Sequence, residues 1–119
     1  MTNGSSPQIA AVYTTDADGF ITLFNEAAVS LWGRKPATGK DRWCGSHRLY
    51  RLDGAPLSLD ASPLAVALKE GGAIQSLELI IERPDGTRRH VLAQPELIRD
   101  SEGGVVGAIN VFADISSER

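Results

Sequence analysis

Three strand-length stretches of apolar alternation, separated by turn signals, occupy the segment from Ala73 to Ile115, and no other part of the chain repeats that pattern. In Ser76 to Arg83, Leu77, Leu79 and Ile81 share one face, while Glu78, Ile80 and Glu82 share the other, which predicts a half-buried strand. Pro84-Asp85-Gly86 supplies turn chemistry: a preset dihedral, a side chain that bonds its own backbone, and tolerance of positive φ. The return segment, Thr87 to Ile98, places Arg89, Val91, Ala93, Pro95 and Leu97 on one face against Arg88, His90, Leu92, Gln94 and Glu96. Pro95 cannot donate to a ladder, so a bulge or an edge is expected there. Asp100 to Gly104 makes the next turn. Val105 to Ile115 is apolar on both faces, the mark of a central strand.

The remainder reads as cover for these strands. Ile9 to Thr15 and Phe20 to Phe24 form a second expected hairpin around Asp16-Ala17-Asp18-Gly19, where turn chemistry accounts for both aspartates. Asn25 stands at a helix N-cap, Ala27, Ala28, Leu31 and Trp32 make one helical stripe, and Gly33 stops it. From Arg34 to Asp60, Pro36, Gly39, Gly45, Gly54 and Pro56 punctuate the chain too often for a long element, so short helical turns and loops are expected. Ser62 as N-cap and Pro63 at the first helical position open a better-marked helix, with Leu64, Ala67 and Leu68 on one face and Gly71-Gly72 at its end. Two strands, helices, then three longer strands, without a strand-helix-strand repeat, predict an α+β domain: a five-stranded antiparallel sheet with short helices on one face. The expected division is a disordered segment at 1–8, one domain over 9–116, and the start of a linker at 117–119.

Composition narrows function by exclusion. A chain of 119 residues makes one domain able to bury about two thirds of its unfolded surface. A net charge of -3 disfavours an electrostatic grip on nucleic acid or anionic lipid, and no apolar run reaches membrane-spanning length. Cys44 is the only cysteine, and with no secretory signal a reducing cytoplasm is the expected location; Asn3-Gly4-Ser5 is then a chance match to the glycosylation sequon. His47 and His90 lie in different segments with no ligand partners at metal spacing, so no metal site is expected. Neither a nucleophile elbow nor a triad surrounds Ser46-His47, and Gly103 to Gly107 opens a strand rather than a phosphate-binding helix.

Read in order, Asp16-Ala17-Asp18-Gly19-Phe20-Ile21, Asn25-Glu26-Ala27-Ala28, Arg83-Pro84-Asp85-Gly86-Thr87-Arg88, Gly104-Val105-Val106-Gly107 and the closing Asp114-Ile115-Ser116 resemble a PAS domain of the type found in bacterial sensor histidine kinases. Trp43 to Gly54 resembles the middle of such domains, and Asp114-Ile115-Ser116 resembles the Asp-Ile-Thr signature that closes many of them. The resemblance implies a sensory module without catalytic residues: a sheet curved around a small cavity, walled by the helix after Ser62, in a cytoplasmic two-component protein. Parity and the helix stripe then select the wall as Leu64, Ala67, Leu68, Leu79, Ile81, Val91, Ala93 and Asn110. Asn110 is the sharpest of these, because an amide mid-strand in an apolar run must find a partner. In the family the closing aspartate ties the last strand to the output linker, a signal-coupling role carried here to Asp114. The implied partners are an unidentified small molecule, a second copy in a homodimer, and a C-terminal effector such as a histidine kinase; the cofactor is unknown.

Two other classes are open. A flavin or haem sensor is one, although Cys44 departs from the Asn-Cys-Arg-Phe-Leu-Gln context of flavin-binding members and Pro63 to Glu70 has no histidine. A cone-type isomerase or hydratase is the other, with His90 its only candidate base and on the face opposite Val91. Dimerisation is expected through residues 1–13 or through a mixed sheet face carrying Ile80, Leu92 and Val105 or Val106.

Overall fold

The computed structural model describes residues 10–71 and 76–115. The elements are β1 (Ala11–Asp16), β2 (Ile21–Phe24), α1 (Glu26–Trp32), β3 (Arg48–Tyr50), β4 (Pro56–Leu57), a 3-10 turn (Leu59–Ala61), α2 (Pro63–Glu70), β5 (Leu77–Glu82), β6 (Arg88–Arg99) and β7 (Val105–Asp114). The N-terminal segment 1–8, Ile9, Gly72, Ala73, Ser116 and the linker at 117–119 lie outside the described residues.

The strands form one antiparallel sheet in the order β2-β1-β7-β6-β5-β3-β4. The α+β class holds, but the sheet has seven strands among the described residues where five were expected. The additions, β3 and β4, fall in the region read as loops and turns. They run for three and two residues, too short for any periodicity to register. Tertiary pairing makes them: Leu49 and Leu57 are partners, both are buried, and Leu49 also pairs with Ile81 of β5.

Each long hairpin closes on an aspartate. Asp16 Oδ1 accepts from the amides of Asp18 and Phe20, Asp85 Oδ1 from that of Thr87, and Asp100 Oδ1 from those of Glu102 and Gly104, all at 2.9–3.0 Å. As expected of a strand apolar on both sides, β7 sits inside the sheet between β1 and β6. The ladder between β5 and β6 ends at Ala93, so at Pro95 only β7 pairs with β6, and the edge alternative for this proline is the correct one.

Asn25 does more than cap α1. Its Oδ1 accepts from the amides of Ala28 at 2.9 Å and Val12 at 3.1 Å, while Nδ2 donates to the Ala10 carbonyl, so one side chain fixes helix start and strand β1 together. At the other end, Arg83 donates from Nε to the Leu31 carbonyl at 3.0 Å, satisfying a helix-terminal acceptor from the β5–β6 turn. Ser62 does not cap α2 as expected: its side chain makes no capping bond, and its buried hydroxyl has no partner among the described residues. Pro63 in the first turn and Gly71, left-handed at φ 63°, still mark the two ends of α2.

Both helices lie on the same face of the sheet. Trp32, fully buried, is the hub beneath α1, with ring centroids 5.1 Å from Tyr13, 6.4 Å from Phe24 and 6.5 Å from Phe112. Leu64 carries this core under α2 to Leu79, Ile81, Val91 and Ala93. Leu77, expected to be buried with Leu79, is 41% exposed, because it opens β5 at the rim.

Candidate functional site

The eight wall residues converge. Leu64, Ala67, Leu79, Ile81, Val91, Ala93 and Asn110 are all buried, and Leu68 packs partly buried against the same core. Seven of the eight are hydrocarbon, and six of these, Leu64, Leu68, Leu79, Ile81, Val91 and Ala93, belong to one packed core.

Asn110 differs, as its residue type required. Its Oδ1 accepts from the Gln94 amide at 3.1 Å, and its Nδ2 lies 3.4 Å from the Tyr13 hydroxyl. Tyr13 in turn donates to the Trp43 carbonyl at 2.7 Å. Beside Tyr13, the buried Cys44 thiol lies 3.0 Å from the Ser46 hydroxyl. A chain of neutral polar groups thus runs from central strands β7 and β6, through β1, to a strap formed by residues 42–46. Sequence reasoning found Asn110 and missed Tyr13, Cys44 and Ser46. Parity along β1 places Tyr13 with buried Ala11 and Thr15, which was the available signal for one of the three.

Burial first, and then the neighbouring Cys44 thiol, push the Tyr13 phenol well above its ordinary value of 10.0. Burial likewise lifts the Cys44 thiol above 9.0, although Ser46 bonds to it oppose the rise. Cys44 is therefore a neutral thiol at physiological pH and a poor nucleophile. Both groups hold their protons more tightly folded than unfolded. Their contribution to stability is therefore complete below pH 9 and is lost as pH rises and the unfolded chain ionises. The unfolding free energy from urea titrations at pH 8 to 11 should fall beyond pH 9, by up to about 1.4 kcal/mol per pH unit for each ionising group. Tyr13→Phe should flatten the part above pH 10; an unchanged profile in that variant would exclude Tyr13 as the source.

Among the described residues the buried polar side chains, besides Tyr13, Trp32 and Cys44, are Thr15, Ser46, Ser62 and Asn110, and none is a carboxylate or imidazole. His90 lies on the outer face, as its parity indicated, with Nε2 3.1 Å from Glu78 Oε1. No cluster of potential metal ligands occurs among the described residues, and no helix there is long and apolar enough to cross a membrane.

Asp114 ends β7 in an ion pair with Arg89: its Oδ2 is 2.8 Å from Nη2 and 3.0 Å from Nε. The pair borders an open groove of about 780 Å³ that is also lined by Leu31 of α1, Arg83, Phe112 and Ala10. The sequence placed Arg89 on the Val91 face but gave no sign that it meets Asp114, since the pairing that joins them is set by sheet order.

Comparison with known proteins agrees with this geometry. The profile of the PAS fold family matches residues 4–119. The PAS domain of the fruit-fly ELK potassium channel superposes with a TM-score of 0.70 at 20% identity, covering 90% of this chain and 87% of that one. The light-state structure of the blue-light photoreceptor Aureochrome1 LOV gives 0.62 at 23% identity, covering 91% and 83%. A PAS domain from Colwellia psychrerythraea gives 0.59 at 20% identity, covering 91% and 87%. No curated protein matches the chain.

Proposed function

Because the chain belongs to the PAS fold family, whose members are generally sensory rather than enzymatic, we propose that it is a signal-relay module that responds to a small molecule at its inner face. The observation that carries this reading is the buried hydrogen-bond chain from Trp43 through Tyr13 to Asn110, which lies on the same strand as Asp114. A molecule that disturbs the chain shifts Tyr13 or Asn110, and β7 transmits the change along its length to the Arg89–Asp114 pair. Leu64, Ala67, Leu68, Leu79, Ile81, Val91 and Ala93 form the apolar wall of this site, and Asp114 couples it to a C-terminal output domain such as a histidine kinase. A homodimer forms through the outer sheet face, where Ile80, Leu92, Ile109 and Val111 are half-buried. The two-component setting and a cytoplasmic location complete the reading.

The test is native mass spectrometry of the protein purified from its own host, compared with the denatured mass. Extra mass that disappears on denaturation supports a resident ligand and gives its size. A dimer with no extra mass that also binds no added small molecule would replace small-molecule sensing with relay by association alone.

A further inference from the structure

Trp43 is the only non-glycine residue with a positive φ among the described residues, at 73°. A bulky side chain costs about 1–3 kcal/mol there and persists only where its surroundings enforce it. The surroundings form a slot around its indole. Gly19 is one wall: a β-carbon there would lie 2.3 Å from the ring. The Arg42 guanidinium stands 4.3 Å from the ring centroid and the Lys69 ammonium 5.0 Å. Neither cation depends on the ring for its position. Arg42 Nε donates to the Asp18 carbonyl and also covers Phe20, while Lys69 Nζ donates to the Asp60 carbonyl, both bonds at 2.7 Å. Arg42, held on the β1–β2 turn by Asp18 and by its bridge to Phe20, and Lys69 of α2 therefore preform a site for an aromatic face, and a strained residue of the chain occupies it.

We propose that this slot is a recognition site for a small, uncharged, electron-rich planar ring of the indole or phenol kind, which displaces Trp43 and frees the strap beyond the anchored Arg42, over Tyr13. The two cations attract the ring quadrupole, and leaving the slot relieves the Trp43 backbone. The Trp43 carbonyl holds the Tyr13 hydroxyl, so displacement breaks the first link of the buried chain. The polar groups beneath the strap are neutral: Tyr13, Cys44, Ser46 and Asn110, with the fully buried Trp32 indole N–H unpartnered among the described residues. That inventory selects an uncharged molecule with one or two hydrogen-bonding atoms. The site rests on the sensory reading above and names its ligand class and entrance.

Titration calorimetry with indole, phenol and cyclohexanol tests it, alongside the Trp43 indole N–H resonance. Indole and phenol should bind and shift that resonance, and cyclohexanol, with the hydroxyl but no π face, should bind at least tenfold more weakly. The double variant Arg42→Met and Lys69→Met, altered only at the surface, should weaken indole about five- to twentyfold. Trp43→Gly suits the left-handed backbone and removes the internal competitor, so it should tighten indole about tenfold or more. Equal affinities for indole and cyclohexanol, or no loss in the double variant, would overturn the slot. A ligand from the native host without an aromatic ring would also overturn it and leave sensing intact. Indole affinity that depends on Arg42 and Lys69, in a protein isolated without bound mass, would support the slot and remove only the resident ligand.

Discussion

Trp32→Ala should lower the unfolding free energy by about 3–5 kcal/mol, the largest effect expected of any single substitution here. The side chain is fully buried and meets three aromatic rings, so truncation leaves a void bounded by Tyr13, Phe24 and Phe112, which are anchored on separate strands. Gly45 closes the fourth side: a β-carbon there would lie 2.5 Å from the indole, so the strap rests on the ring face and loses its support with it. The loss is one of packing, because the Trp32 N–H has no partner among the described residues to forfeit. Trp32→Phe should consequently retain much of the stability. Urea unfolding monitored by far-ultraviolet circular dichroism decides the matter, and a cost below about 1 kcal/mol for the alanine variant would contradict the role of Trp32 as hub.

Gly107→Ala should destabilise by about 1–3 kcal/mol, at the upper end for overpacking, although it adds a single methyl group. The β-carbon would lie 2.2 Å from the Thr15 carbonyl oxygen. Backbone cannot step aside as the tip of a flexible side chain does, so β1 and β7 must separate around the Asp16 and Gly107 partners. Amide exchange should accelerate along the β1–β7 ladder and much less in β5. Wild-type protection across β1 and β7 in the variant would show that the ladder accommodates the methyl and that the tight approach is not obligatory. By contrast, alanine at Gly86 meets no atom within 4 Å and strains only the left-handed turn, at φ 91°.

The parts of the molecule legible in the sequence were those encoded over short distances. The Asp16, Asp85 and Asp100 turns, the Asn25 cap, the limits of α2 and the central place of β7 all follow from residue type and period, and each has a local physical cause. β3 and β4 were not legible because their pairing partners, rather than their own residues, make them strands. Among the wall residues, parity placed Leu79, Ile81, Val91 and Ala93 on the buried face, and Asn110 was singled out for needing a partner. The identity of that partner, Tyr13, lies 97 positions away and depends on β1 pairing with β7. Trp43 was hidden for a different reason: nothing in a tryptophan announces a left-handed backbone, and Gly19, Lys69 and Tyr13 around it come from distant parts of the chain. Ser62 stands at the N-cap position as read, but its side chain does not form the capping bond.

The order of the strands also sets a timetable. The strand that separates β1 from β6 is β7, the last to be synthesised, so the sheet has no continuous middle until Val105 to Asp114 have been made. Before then the chain can hold only two unconnected units, the β1–β2 hairpin and the four strands β6-β5-β3-β4, whose inward edges both await the same strand. Contacts between residues nearly a hundred positions apart arrive together when β7 docks, a topology of high contact order that predicts slow, cooperative closure of the sheet. During that interval the exposed edges of β1 and β6 are the surfaces most open to pairing with another chain.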